Sequence, residues 1–130
     1  QMTIKKLVVG SMFSMLLASE MAAADWGDVY YCQMTSQITI SLDGELTRYQ
    51  LETFKFKLDE SRNAMVFESN GAFKGLVSEV DKLLSWPDLE SWYSHAQMGY
   101  VTIFFEKGKL MVSGLSPAAT MAVSAGCEKL

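Results

Sequence analysis

The chain has 130 residues, and its 15 acidic and 11 basic side chains give a formal net charge of −4 at pH 7. These charges are scattered singly and form no basic stripe, so nucleic acid is not an expected partner. The acidic balance also disfavours binding to anionic membrane surfaces. A chain of this length suits a single domain.

The N-terminal segment is typical of a secretory signal peptide. Two lysines at 5–6 precede the largely apolar run 7–18, and alanines at 22–24 supply the small residues that a signal peptidase reads. The run is shorter than the ~20 residues that span a membrane; an N-terminal helix that packs on the domain or anchors it is the alternative. We predict a cleaved signal peptide over 1–24 and one β-rich domain over 25–130, periplasmic or extracellular, with no membrane span.

The two cysteines, Cys32 and Cys127, lie near the two ends of the predicted domain. Two such residues in an exported protein are expected to pair, and the alternative is two buried free thiols. Their spacing excludes a Cys-x-x-Cys redox motif, and one histidine with two cysteines makes a zinc site improbable. We therefore predict a Cys32–Cys127 disulfide and no metal site.

Alternation of apolar and polar residues indicates β-strands from residue 29 onward. Over 29–42 the even-numbered side chains, from Tyr30 and Cys32 to Leu42, are apolar and are predicted to face the core. Asp43-Gly44 then predicts a hairpin. The next strand, 46–58, changes parity near its middle, which predicts a bulge or twist close to residues 52–53.

Further strands are predicted along the rest of the chain, separated by polar or glycine-containing turns. They cover residues 65–69, 72–77, 100–107, 110–114 and 119–127, and the turns include 59–63, Asn70-Gly71, 107–109 and 115–117. In the last strand Met121, Val123, Ala125 and Cys127 share one face. Cys32 and Cys127 therefore both point inward from the first and last strands.

The segment 78–92 has no clear period and is predicted to be an irregular connection with one or two helical turns. Ser78 with Asp81, and Ser85 with Asp88, resemble capping boxes. Pro87 suits the first position of a helical turn.

These patterns predict a mainly β fold, an antiparallel meander of about seven strands that is closed or strongly curled into a small barrel. An open sheet with a small helical cover is the alternative. The buried methionines, predicted at 34, 65, 111 and 121, would serve as adaptable core filling.

Signals for catalysis are weak. His95 is the only imidazole, no Gly-x-Ser-x-Gly motif surrounds a serine, and neither phosphate-binding nor dinucleotide-binding glycine motifs occur. Asp88 and Glu90 could act as paired carboxylates only if the fold placed them across a cleft. We predict no enzymatic activity, no cofactor and no metal.

One aromatic cluster is the best candidate for a binding surface. Trp86, Trp92, Tyr93 and His95 could stack on a sugar or grip a peptide. The alternative is that both tryptophans cap an open end of the barrel.

Tyr30-Tyr31-Cys32, the β-meander and a cysteine close to the C-terminus resemble the small exported barrel inhibitors of C-type lysozyme. The resemblance implies a protein-binding role. This chain lacks the Ser-Gly-x-x-Tyr loop of that family, and its nearest stretch, residues 69–73, does not match it.

The sequence thus predicts a small exported domain, soluble and monomeric, with a non-enzymatic binding or envelope role. Its partner is a small ligand or a protein. Two alternatives stay open: a protein-interaction module, such as an inhibitor of a secreted hydrolase, and a small hydrolase.

Overall fold

The computed structural model describes residues 23–130, so most of the predicted signal peptide lies outside the described residues. The described chain forms nine strands: β1 Val29–Ser41, β2 Leu46–Arg48, β3 Thr53–Asp59, β4 Ala64–Phe67, β5 Val77–Val80, β6 Ser91–Ala96, β7 Val101–Glu106, β8 Lys109–Leu115 and β9 Ala119–Lys129. Three single turns of 3-10 helix, Glu60–Arg62, Pro87–Leu89 and Gln97–Gly99, complete its regular structure.

Eight strands close into an antiparallel barrel because the last strand returns to pair with the first. The order is β1-β3-β4-β5-β6-β7-β8-β9, and the β1–β9 ladder runs from Tyr30–Lys129 to Ser41–Ala119. The ninth strand, β2, pairs with residues 38–40 of β1 and lies outside the barrel. The predicted closed meander is confirmed, with eight barrel strands where about seven were expected.

The predicted tight turns are found at both ends of the barrel. The Gly44 N–H donates to the Ser41 carbonyl between β1 and β2. Lys107 and Gly108, with φ of 49° and 75°, form the two-residue turn between β7 and β8. Gly71 has φ of 86°, and a Cβ there would lie 2.7 Å from the Thr53 carbonyl oxygen, so only glycine fits.

A β-bulge in β1 reverses the facing of its second half. Met34 pairs with Ala125 and Ser36 with Ser124, so Thr35 is an extra residue. Before the bulge, even-numbered side chains are buried as predicted. Beyond it they point outward, and Leu42 is 86% exposed in the following turn. The prediction that even-numbered side chains stay in the core as far as Leu42 is therefore wrong.

The interruption predicted within residues 46–58 is present, although it is longer than one residue. The chain leaves the ladder between β2 and β3 and stays attached to β1 by two backbone hydrogen bonds. The Tyr49 N–H donates to the Gln37 carbonyl at 2.9 Å, and the Met34 N–H donates to the Glu52 carbonyl at 3.0 Å. The change in which alternate residues are apolar within 46–58 coincides with this break between β2 and β3.

Cys32 and Cys127 form a disulfide between directly paired residues of β1 and β9. Their Cα atoms are 4.1 Å apart, and the bond joins positions separated by 95 residues. Cys32 is fully buried. The disulfide predicted from residue parity is confirmed, and it fixes the strand pair that closes the barrel.

Large side chains fill the barrel interior. Phe105 packs edge-on against Tyr30 at 4.8 Å and against Phe56 at 5.2 Å between ring centroids. The fully buried side chains include Trp92, Phe56, Phe67, Phe105, Met34, Leu58, Met65, Ile103, Leu110 and Val112. Because this core occupies the interior, only the loops and the outer surface are open to other molecules.

The region between β4 and β7 differs from its prediction. Residues 72–76 form turns rather than a strand, while β5 and β6 each lie partly within the stretch predicted to be irregular. The reason is that Ser78 and Ser94 face the core, where the Ser78 hydroxyl donates to the Ser94 oxygen at 2.8 Å. Polar residues at inward positions hide the strand period. The predicted helical turn is present at Pro87–Leu89.

Removing the disulfide with Cys32→Ala and Cys127→Ala should lower the free energy of unfolding by roughly 4 to 5 kcal/mol, because a closed loop of about a hundred residues restricts the unfolded chain. Urea denaturation of the double variant beside the oxidised wild type measures this. Equal stability of the two proteins would contradict the role assigned to the bond.

Candidate functional site

The four aromatic candidates do not form one surface. Trp92, Tyr93 and His95 lie on β6, where strand alternation sends Trp92 inward and Tyr93 and His95 outward. The rings of Tyr93 and His95 are 4.9 Å apart, so these two stay together on the outer face. Trp86 precedes the strand and is 58% exposed.

Trp92 is a core residue and has no surface to offer a partner. Its exposed fraction is 0%, and Trp26 packs edge-on against it with 4.9 Å between ring centroids. Trp92 therefore packs in the core together with Trp26, whereas Trp86 is exposed. Trp92 has to be removed from the predicted contact residues.

A loop just before β6 exposes four large apolar side chains within seven residues. We call residues 83–89 the apolar loop. The exposed fractions are 89% for Leu83, 54% for Leu84, 58% for Trp86 and 57% for Leu89. Trp86 is among the predicted contact residues and the three leucines are not. Their density without a strand or helix period, in Leu-Leu-Ser-Trp-Pro-Asp-Leu, is the signal that marks them in the sequence.

The start of the apolar loop is held by side-chain oxygens. One carboxylate oxygen of Asp81 accepts from the N–H groups of Leu83 at 2.9 Å and Leu84 at 3.3 Å. The buried Ser85 hydroxyl accepts from the Tyr93 N–H at 2.9 Å and donates to the Tyr93 carbonyl at 3.1 Å. The capping boxes predicted for Ser78 and Ser85 are thus wrong, because Ser78 lies in β5 and Ser85 ties the loop to β6.

The end of the apolar loop is closed by backbone hydrogen bonds. Trp86 and Ser91 form an antiparallel bridge. Pro87 begins the 3-10 turn, as the sequence predicted, and Glu90 ends it in a left-handed conformation with its N–H on the Pro87 carbonyl. The Glu90 carboxylate also accepts from the Ala24 N–H at 3.0 Å. The loop is therefore bound to β6 and to the N-terminal segment while its apolar side chains face solvent.

The outward side of β6 borders a polar groove of about 700 Å³. His95 Nε2 lies 3.5 Å from Asp81 Oδ2, so the one imidazole does have a carboxylate neighbour. Arg62, Glu79 and Lys82 also line the groove, but none of the lining residues is serine, threonine or cysteine. A His–carboxylate pair without a hydroxyl or thiol beside it lacks the nucleophile of an acyl-transfer site.

A second groove, of about 380 Å³, crosses the outer face of β7, β8, β9 and β1 and is lined by no charged residue. Small cross-strand partners, Thr102, Ser113 and Ala122, lie beside the larger Phe104 and Met111. Met111 is therefore an outer-face residue and not core filling as predicted, whereas Met34 and Met65 are buried.

The end of the barrel beside the apolar loop carries clustered negative charge. Burial raises the pKa of the Tyr30 phenol to about 12, and the carboxylates of Asp28 and Glu90 add to the shift because they oppose a further negative charge. Lys129 Nζ lies 3.3 Å from Asp28 Oδ1. The Tyr30 hydroxyl thus remains neutral at physiological pH.

Over residues 23–130 the acidic, histidine and cysteine side chains form no group of three or more that could hold a metal ion. The same part of the chain contains no helix that is both long enough and apolar enough to cross a bilayer. Comparisons with protein families, curated proteins and solved structures find no match for this chain.

Tyr30→Phe should make the free energy of unfolding fall less steeply as the pH rises above about 10. The unfolded chain releases a tyrosine proton near pH 10 and the folded chain releases that of Tyr30 near 12. The contribution of the protonated Tyr30 phenol to the free energy of unfolding is therefore complete below about pH 10 and is lost as the pH rises toward 12. Urea denaturation between pH 9 and 12 measures the slope. Tyr100→Phe, at an exposed position, is the control; equal slopes for wild type and Tyr30→Phe would contradict the assignment.

Proposed function

We propose that this protein is an exported, non-enzymatic protein-interaction module whose contact surface is the apolar loop. One observation carries the proposal: Leu83, Leu84, Trp86 and Leu89 are each more than half exposed on a loop that hydrogen bonds hold in place. Clustered exposed apolar side chains on a soluble domain mark interaction sites, whereas isolated ones need no explanation.

The exposed side chains suit a protein partner on energetic grounds. Full burial of a leucine side chain contributes about 1.5 to 3 kcal/mol, so the three leucines alone offer several kcal/mol to a partner that covers them. Tryptophan is among the residue types that most often dominate binding energy at protein interfaces. Asp88 lies between Trp86 and Leu89 and would occupy the polar rim of such a contact.

The bracing of the loop also favours binding. Association costs free energy when a flexible loop must be ordered. Here the Ser85–Tyr93 hydrogen bonds and the Trp86–Ser91 bridge already fix the backbone from which the apolar side chains extend. A partner therefore meets a preformed surface.

Two competing functions have less support. A small ligand inside the barrel would need space that Trp92, Phe56 and Phe105 occupy. A serine or cysteine hydrolase would need a nucleophile beside His95, and the groove next to it is lined by none.

The proposed location is the periplasm or the extracellular space, and the proposed unbound state is a soluble monomer. A long-range disulfide is typical of oxidising compartments, which agrees with the signal peptide predicted over 1–24. The acidic net charge disfavours nucleic acid and anionic lipid as partners.

Site-specific photo-crosslinking tests the proposal. A photoreactive residue in place of Leu83 should give a discrete adduct with one protein in the exported fraction of producing cells. The same residue in place of Leu42 is the matched control, because Leu42 is 86% exposed and lies in the β1–β2 turn. Adducts at both positions alike, or at neither, would contradict a contact through the apolar loop.

With the crosslinked partner purified, Trp86→Ala should weaken binding about 30-fold, since truncation of a hot-spot residue costs about 2 kcal/mol or more. Met98→Ser is the control, because Met98 is almost fully exposed in a different loop. Isothermal titration measures both. Unchanged affinity of Trp86→Ala would exclude the loop as the contact, and binding of the wild type to neutral phosphatidylcholine vesicles instead would replace the protein partner by a lipid surface.

A further inference from the structure

Residues 24–28 at the start of the described chain are held against the barrel rather than lying free of it. The Ala24 side chain is 3% exposed and belongs to the hydrophobic core. The Gly27 N–H donates to the Leu58 carbonyl at 2.7 Å, and the Asp25 N–H donates to Asp28 Oδ2 at 2.9 Å. Trp26 packs against Trp92. The folded domain therefore includes Ala24, the last residue of the predicted signal peptide.

The backbone nitrogen of Ala24 faces a carboxylate that has no cation. Ala24 N is 3.0 Å from Glu90 Oε1, and this contact is partly buried. The ion pairs among residues 23–130 are Arg62–Asp59, His95–Asp81 and Lys129–Asp28, so none of them includes Glu90. A half-buried carboxylate without a positive partner is unfavourable unless hydrogen bonds or a charge compensate it.

We propose that signal-peptide cleavage occurs at the Ala23–Ala24 bond and that the new α-ammonium group of Ala24 forms an ion pair with Glu90. Hydrolysis of this peptide bond by water leaves a carboxylate on Ala23 and a protonated amine on Ala24, in the position where the Ala24 N–H already meets Glu90. The inference rests on the proposed export. The sequence pattern predicts cleavage one residue later, after Ala24. That cleavage would remove the Ala24 side chain from the core and leave Glu90 with neither the hydrogen bond nor the ion pair.

The surroundings of Glu90 favour a positive group there. Glu90 and Asp28 both act on the Tyr30 hydroxyl, whose pKa burial and these two charges raise to about 12. Lys129 compensates Asp28 but not Glu90. An α-ammonium on Ala24 supplies the missing charge and replaces a hydrogen bond from an uncharged amide by an ion pair between two opposite charges.

The ion pair would connect processing to the proposed contact surface. Glu90 closes the apolar loop, since its N–H bonds to the Pro87 carbonyl and its φ of 57° is a conformation that a non-glycine residue adopts only when its neighbours hold it. The mature amino terminus thereby becomes part of the bracing of Trp86 and Leu89. Uncleaved protein retains only the hydrogen bond from an uncharged amide at this point.

Intact-mass analysis and N-terminal sequencing of the exported protein give the first test. A chain that begins at Ala24 supports the proposal. A chain that begins at Asp25, or an exported chain that still carries residues 1–23, overturns it and leaves export intact. Absence of the protein from the exported fraction, with residues 1–23 retained inside the cells, overturns the export proposal itself.

Glu90→Gln gives the second test, because it keeps an oxygen acceptor and removes only the charge. The substitution is made in two proteins, one that begins at Ala24 and one that begins at the exposed Ala23, whose Ala24 nitrogen is an ordinary amide. In the protein that begins at Ala24 the substitution should lower the thermal midpoint about 4 °C further than in the other. Equal losses in both proteins would show that the amino group makes no ion pair with Glu90.

Discussion

The pairing of β1 with β9 is the interaction on which the rest of this structure depends. It converts an open meander into a barrel, so no strand of the barrel is left with a free edge. The Cys32–Cys127 bond joins directly paired residues of this ladder and therefore restricts the unfolded chain to conformations in which its ends are near each other. Once the ladder is formed, the inward faces of all eight strands enclose one volume, and Phe56, Phe105 and Trp92 fill it.

The filled interior of the barrel limits where another molecule can bind. A small barrel can hold a ligand only if its interior is wide and hollow, and here the interior is packed with aromatic and aliphatic side chains. The remaining possibilities lie on the loops and the outer face. Among them the apolar loop combines two properties. Its leucine and tryptophan side chains are exposed, which is unfavourable in a protein without partners, yet its backbone is held in place by buried Ser85 and by β6. Exposure of these side chains contributes nothing to folding, so a contact surface explains it better than stability does.

Much of the fold could be predicted from the sequence because strand alternation and turn residues are local signals. The inward facing of Cys32 and Cys127 followed from parity alone, and Asp43-Gly44 and Lys107-Gly108 marked their turns because those turns need positive φ. The bulge at Thr35 could not be predicted, since an extra residue is recognised only against its partner strand. Strand β6 could not be predicted because its inward positions include Ser94, a polar residue that is buried with its hydroxyl bonded to Ser78 and to the Met65 sulfur.

The candidate site was predicted in part, for a related reason. Density of aromatic residues drew attention to Trp86, Trp92, Tyr93 and His95, but residue type does not reveal which side of a strand a side chain occupies. Alternation in β6 buries Trp92 and turns its neighbours outward, where they are half-buried. The sequence alone does not mark the leucines of the apolar loop as exposed, because apolar residues are expected in cores, and only the structure places them on the surface.

The central claim is that a rigid loop displays these apolar side chains, and amide hydrogen exchange of the free protein tests it most directly. The account predicts slow exchange for the amides of Trp86, Glu90 and Tyr93, whose N–H groups are bonded to Ser91, Pro87 and Ser85, although Trp86 itself is exposed. The amide of Met98, in another exposed turn, serves as the comparison. Exchange of the Trp86, Glu90 and Tyr93 amides at the rates of an unstructured peptide would contradict a preformed contact surface.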